Sequence, residues 1–217
     1  MLCHGHSLTR PRDMRIKEIF TSLQGEGANS GKLFTFVRFS GCNLDCDFCD
    51  TDFEEGLRYD LALLTEEIER HGVKSILWTG GEPTLQLTDE IVAHFKSLGY
   101  YQAIETNGTR RPPKGLDYIT CSPKDDKDDD YKSFRETFAG IDIDEIRIPA
   151  GSGLPIPEID EELPPARRYY LSPVFVGDKE SGMNKLSRQN LFVCMDMINR
   201  DPRWRLSVQL HKLIGIK

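Results

Sequence analysis

The chain has 217 residues, 38% of them apolar and 29% charged, which is enough for one domain with its own core and excludes a disordered chain. No run approaches the ~18 consecutive apolar residues of a membrane-spanning helix. A net charge of -7 without a basic tail or stripe weighs against direct binding of nucleic acid, which needs clustered Lys and Arg.

The amino-terminal stretch MLCHGHSLTRPRD has no apolar h-region and does not read as a signal peptide. It reads as a leader over residues 1–13, with Met14 as an alternative start and 14–217 as a single domain in the cytoplasm. Met14 to Phe20 and Leu33 to Phe39 read as strands, the second rich in aromatic and branched residues. A polar cysteine-bearing loop runs from Gly41 to about Gly56. Leu61 to His71 reads as a helix with Asp60 as cap and Gly72 as stop. Ser75 to Thr79 is a strand running into Gly80-Gly81-Glu82-Pro83. Thr88 to Leu98 is a helix with apolar Ile91, Val92, Phe95 and Leu98 at helical spacing. Tyr101 to Glu105 and Leu116 to Thr120 are strands that end in Thr106-Asn107-Gly108 and Cys121-Ser122-Pro123-Lys124. The acidic run Asp125 to Asp130 reads as a solvated loop. Tyr131 to Phe138 reads as a short helix, Glu145 to Ile148 and Arg168 to Val176 as strands, and Pro149 to Pro165 as a surface excursion. Asn184 to Asn199 reads as the longest helix and Trp204 to Leu210 as a final strand.

Strands alternating with helices imply a parallel sheet with crossover connections. About six such units are visible, short of the eight of a full barrel. The expected fold is therefore α/β, a partial, open βα barrel of about six parallel strands. Sites in such folds lie at the carboxyl ends of strands. GGEP, ETNG and SPK each follow a predicted strand, so they converge on one rim.

Six cysteines are present, and three of them fall within eight residues as Cys42-Asn43-Leu44-Asp45-Cys46-Asp47-Phe48-Cys49. In a chain without a secretion signal, that CX3CX2C spacing favours a metal or cluster over a disulfide framework. Three thiolates on one loop suit three corners of an iron–sulfur cubane, leaving one iron open to a small molecule. The alternative is a structural zinc loop completed by Cys121 or a His, although no second cysteine pair is present. Cys121 and Cys194 otherwise read as small buried residues.

CX3CX2C after one strand and GGEP after the next resemble the radical S-adenosylmethionine superfamily. Within it, the chain is similar to the 7-carboxy-7-deazaguanine synthase family of queuosine biosynthesis, a pathway of tRNA modification. The resemblance rests on Leu23-Gln24-Gly25-Glu26-Gly27, Phe36 to Leu44, Cys49-Asp50-Thr51, Thr79 to Pro83, Glu105 to Gly108, Ser122 to Lys124 and Gln209-Leu210-His211-Lys212. It covers nearly everything from Met14 onward.

This resemblance implies a lyase whose [4Fe–4S] cluster is held by Cys42, Cys46 and Cys49 and whose open iron chelates S-adenosylmethionine. Reductive cleavage of that cofactor leaves a 5′-deoxyadenosyl radical, and the cofactor is regenerated. Phe48, Gly80, Gly81, Glu82, Asn107, Ser122 and Lys124 are implied as its binding residues, with Glu82 accepting from the methionine amino group and the two glycines allowing close backbone approach. The implied substrate is 6-carboxy-5,6,7,8-tetrahydropterin, met by Leu23, Gln24, Gly25, Glu26, Arg38, Thr79 and His211. A glutamate suits its aminopyrimidinone edge, and an arginine fork suits its carboxylate. The Thr51 hydroxyl is implied to hold Mg²⁺. Implied partners are a flavodoxin- or ferredoxin-type electron donor and a second copy in a homodimer. Two rival readings stay open. One is another small radical enzyme, such as a glycyl-radical activase. The other is an iron–sulfur electron carrier, which usually fills all four positions with cysteine.

Overall fold

The computed structural model describes residues 13–49, 52–124, 131–177 and 184–216. The chain opens with strands β1 (Met14–Leu23) and β2 (Leu33–Phe39), an antiparallel hairpin, and β3 (Leu57–Tyr59) pairs on the other side of β1. Then follow α1 (Leu61–Arg70), β4 (Ser75–Gly80), α2 (Asp89–Ser97), β5 (Tyr101–Thr106), β6 (Tyr118–Cys121), α3 (Lys132–Thr137), β7 (Glu145–Ala150), α4 (Ile159–Glu162) and β8 (Tyr169–Pro173). The chain finishes with β9 (Phe175–Gly177), β10 (Asn184–Leu186), α5 (Arg188–Arg200), β11 (Trp204–Leu206) and α6 (Leu210–Ile214).

The main sheet runs β11-β8-β7-β6-β5-β4-β2-β1-β3. Its seven members from β2 to β11 are parallel, and their order in space follows their order in the chain. The helices therefore collect on one face, and β11 and β3 remain as edges: an open, partial βα barrel. Among the described residues, no helix is long and apolar enough to cross a membrane.

Side chains on a strand alternate between faces, and this parity builds the site. Val37 and Phe39 of β2, Ile76 and Trp78 of β4 and Ile104 of β5 point to α1 and α2 and are fully buried there. Trp78 packs between Phe39 and Phe95, with ring centroids 6.1 and 5.4 Å away. Ile146 and Ile148 of β7 join Phe134, Phe138, Cys194 and Trp204 in a second cluster. Phe34, Leu77, Ala103 and Tyr118 have the opposite parity and form a small inner cluster. Moving one or two pleats toward the carboxyl ends, the same inner row becomes Arg38, Thr79, Glu105 and Arg147. The barrel interior is thus apolar below and polar above.

Asp60 caps α1, its carboxylate accepting from the Leu63 N–H at 2.8 Å, and Gly72 stops it at φ +69°. Four expectations need correction. The strand expected over Arg168 to Val176 divides. Pro173 has no N–H to extend a ladder, and Phe175–Gly177 pairs with Asn184–Leu186 in a separate ribbon. The last long helix consequently starts at Arg188, where Ser187 supplies the cap, its hydroxyl accepting from Asn190 N–H at 3.2 Å. The final strand stops at Leu206, the extent of its pairing with β8, and Leu210–Ile214 is a helix. The Pro149 to Pro165 segment is no surface excursion: Pro149 and Ala150 complete β7, and Ile159 and Leu163 are buried in the second cluster. Most of the leader, 1–12, and the acidic run 125–130 lie outside the described residues.

Candidate active site

Two adjoining cavities open at the carboxyl ends of the parallel strands. The first, about 260 Å³, is lined by Cys42, Cys46, Phe48, Cys49, Gly80, Gly81, Asn107, Ser122 and Lys124, among others. The second, about 230 Å³, is lined by Leu23, Gln24, Gly25, Arg38 and His211, over the Phe20–Phe36 pair. Those two rings stack with centroids 4.9 Å apart. Glu26, Thr79, Glu105, Gln209 and Lys212 line both cavities and form the wall between them. The three loops that the sequence puts on one rim do meet there.

The cysteine loop is clamped at its entry. Gly41 N–H donates to Phe53 O, and Glu82 N–H donates to Gly41 O, both at 2.9 Å. Gly80 takes φ +116°, and a Cβ there would strike the Phe39 backbone, while a Cβ on Gly81 would overlap the Gly41 carbonyl. The close approach expected of these glycines is thus to the cysteine loop itself. Gly81→Ala is expected to cost roughly 1–3 kcal/mol from this overpacking and to lower the iron bound per chain. Thermal unfolding and an iron assay check it; wild-type values for both would contradict the clamp.

The three sulfurs suit a cluster. All three line one cavity, and Cys42 Sγ already accepts from Leu44 N–H at 3.5 Å and Asn107 Nδ2 at 3.8 Å. Burial pushes the Cys46 thiol up, against the pull of the Lys124 ammonium, and the neighbouring Cys49, Cys42 and Asp45 push it further up. Iron binding would replace that proton. Among the described residues, no three His, Cys, Asp or Glu groups converge on a single ion. A cubane does not require convergence, because each thiolate takes a different iron. Cys121, one of the completions a zinc loop could take besides a His, is fully buried in the second core cluster, where burial pushes its thiol well up.

Asn107 bridges the rims. Its Nδ2 donates to Asn43 Oδ1 at 3.1 Å, and its Oδ1 accepts from Thr109 Oγ1 at 2.7 Å. Lys124 Nζ donates to the Ser122 carbonyl at 2.7 Å and lies 5.9 Å from the Phe48 ring centroid. Burial lowers the Lys124 ammonium to about 8, partly offset by Cys46. Glu82 lies beneath this rim. It is fully buried, outside the cavity wall, and its oxygens accept from Thr84 N–H and hydroxyl, Thr106 hydroxyl and Asn107 N–H at 2.7–3.0 Å. As cap of the short turn Pro83–Leu85 it also fixes the Asn107 backbone.

In the second cavity, His211 sits on α6, not on a strand, and its ring covers Gly25, where no Cβ would fit. Arg38 pairs with Glu18, Nε to Oε1 3.0 Å, and lies 5.7 Å over the Phe20 ring. Glu26 accepts from the Ser172 hydroxyl at 3.0 Å and lies 3.3 Å from Arg147 Nη1. Asp50 and Thr51, the expected Mg²⁺ ligand, lie outside the described residues.

Sequence reading assigned no role to Glu105, Glu145 or Arg147. Arg147 Nη1 donates to Glu105 Oε1 at 3.0 Å, and its Nε and Nη2 donate to Glu145 Oε1 at 3.0 and 2.6 Å. Burial opposes the Arg147 charge, but Glu26, Glu105 and Glu145 hold it above its ordinary value. The available signal was the alternation Glu-Ile-Arg-Ile in a parallel strand, where a near-continuous apolar run is the norm.

Comparison with known proteins finds relatives over most of the chain. The Radical SAM superfamily model matches residues 36–145. A 7-carboxy-7-deazaguanine synthase of Haemophilus influenzae is 41% identical over 207 residues, covering 94% of this chain and 95% of that protein. One of Bacteroides thetaiotaomicron is 38% identical over 205 residues, covering 94% and 98%. The crystal structure of QueE from Escherichia coli superposes with a TM-score of 0.67 at 22% identity, covering 92% of this chain and 95% of that one, and shows the same fold.

Proposed function

The chain belongs to the 7-carboxy-7-deazaguanine synthase family of the radical SAM superfamily, and from that premise we propose that it converts 6-carboxy-5,6,7,8-tetrahydropterin to 7-carboxy-7-deazaguanine with loss of ammonia, a step of queuosine biosynthesis. The observation that carries this reading is the shared wall: a cysteine-lined cavity and a cavity of mixed polar and aromatic lining meet across Glu26, Thr79 and Glu105. A reactive group held in the first reaches a ring held in the second without crossing solvent.

Cys42, Cys46 and Cys49 hold three irons of the [4Fe–4S] cluster, and the backbone of Gly80 and Gly81 with Asn107, Ser122, Lys124 and Phe48 encloses S-adenosylmethionine. When bound, these cofactors supply one-electron hydrogen abstraction; the protein orients and shields it. Glu26 and Gln24 take the aminopyrimidinone edge, Arg38 takes the carboxylate, and His211 and Thr79 close on the ring. The hydrogen leaves C6 of the pterin, the ring contracts, a hydrogen returns, and the expelled nitrogen leaves as ammonia. Thr51 with the substrate carboxylate holds Mg²⁺, an ion that commonly takes few protein ligands. The reductant is a flavodoxin- or ferredoxin-type protein, and the enzyme works as a homodimer in the cytoplasm, where thiols stay reduced.

Anaerobic reaction of the cluster-loaded chain with reductant, Mg²⁺, S-adenosylmethionine and the pterin tests this by mass spectrometry. The expected result is 7-carboxy-7-deazaguanine. Formation of 5′-deoxyadenosine without that product would overturn the pterin assignment and favour a protein substrate.

A further inference from the structure

Arg147 is buried, and its guanidinium is turned chiefly to carboxylates of the protein. Its Nε and Nη2 both go to Glu145, and its Nη1 lies 3.0 Å from Glu105 and 3.3 Å from Glu26. Glu145 is in turn fixed from below: its Oε2 accepts from the Tyr118 hydroxyl and from Ala28 N–H, each at 3.0 Å. Gly27 lies directly on this carboxylate at φ +62°, where any side chain would collide with it. Gln24 closes the circuit, its Nε2 donating to Glu105 Oε1 at 2.9 Å and its Oε1 accepting from Glu26 N–H at 3.1 Å. Among the described residues, Glu105 Oε2 has only a long contact to the Thr79 hydroxyl, 3.4 Å. Acceptor positions on Glu26 and Glu105 thus remain open, and both residues line the wall between the cavities.

From this arrangement we infer that Arg147, anchored by Glu145, is a positioning residue for substrate recognition: it sets Glu26 and Glu105 as paired acceptors for a ligand edge that presents several N–H donors. Three carboxylates face this one guanidinium, so acceptor oxygens on Glu26 and Glu105 are held at the wall that they share with Lys212. Such a pair of acceptors complements the N–H donors of an amino-pyrimidinone. A charged hydrogen bond tolerates little misplacement, so losing the fork moves both acceptors at once. The inference rests on the pterin reading above, and it adds the element that makes the acceptor pair rigid.

The test is steady-state kinetics of Arg147→Lys, Glu26→Gln and the double variant, with iron per chain measured alongside. Product formation by the wild type tests the functional reading separately. Arg147→Lys keeps the charge but not the fork, and the expected result is a KM for the pterin raised roughly ten- to a hundredfold, with iron loading unchanged. In the Glu26→Gln background the second substitution adds much less than it does alone, because it acts through the same group. An unchanged KM, a loss of iron parallel to the loss of activity, or fully multiplicative effects would each overturn the proposal. If Arg147→Lys does not accumulate as folded protein, Glu145→Gln removes the anchor while keeping its shape, and the same three outcomes decide.

Discussion

Cys46→Ala is expected to abolish iron binding and S-adenosylmethionine cleavage while leaving the fold intact. Cys46 lines the same cavity as Cys42 and Cys49. Removing it leaves two thiolates, and the other described cysteines give no substitute. Cys121 and Cys194 are fully exposed to neither cavity nor solvent: both are buried in the second core cluster. The loop contributes nothing to the three apolar clusters, so stability does not depend on this sulfur. Activity should fall to the uncatalysed level, a loss of at least roughly a millionfold. Iron analysis and a 5′-deoxyadenosine assay on the reconstituted variant check this. Cys194→Ala, a deletion in the core, should keep its iron and lose only stability. A Cys46→Ala protein that still loads a full cluster and cleaves the cofactor would contradict the site assignment.

Glu26→Gln has the second largest expected effect. The carboxylate carries two acceptor oxygens near Ser172 and Arg147, with positions left toward the cavities. The amide has the same shape but turns one of them into a donor. It then presents N–H to the N–H groups of the pterin edge, and it removes a negative charge from beside Arg147. A hydrogen bond to a charged group contributes about 1.5–3 kcal/mol. Loss of one such bond, with a mismatched donor left in its place, predicts kcat/KM reduced by roughly a hundredfold, most of it in KM, because the lost contact holds the bound substrate as well as the transition state. Kinetics with varied pterin read this split. A lowered kcat with KM unchanged would move Glu26 from binding to chemistry.

Much of this site was legible because two simple periodicities carry it. CX3CX2C places three thiolates on one loop whatever the fold, and strand-then-polar-turn patterns put Gly80-Gly81, Asn107 and Ser122 to Lys124 at one rim of any parallel sheet. The inner-facing row of Arg38, Thr79, Glu105 and Arg147 follows from the same alternation, yet only the first two had been singled out. Arg147 and Glu145 were hidden because ion pairs in a buried strand make sense only once their neighbours on β5 and the Gly27 loop are in place. The hold on Glu82 was hidden in the same way: its carboxylate caps a turn and accepts from Thr84, Thr106 and Asn107, contacts that appear only once β5 lies beside β4. The chain end was misread because three residues of strand at a sheet edge and a five-residue helix are too short to leave a period in the sequence. That error mattered to the site, since the helix is what lays His211 over Gly25.

The cysteine-lined cavity and the second cavity meet across Glu26, Thr79 and Glu105, so a hydrogen is expected to pass directly between the molecules held in them. Isotope transfer tests it most directly: anaerobic turnover with pterin carrying deuterium at C6, followed by mass analysis of recovered S-adenosylmethionine and 5′-deoxyadenosine. Deuterium is expected in the 5′ position of one or both. Cofactor cleaved to 5′-deoxyadenosine without any deuterium, in the presence of saturating labelled pterin, would show that the two cavities do not exchange hydrogen and would contradict it.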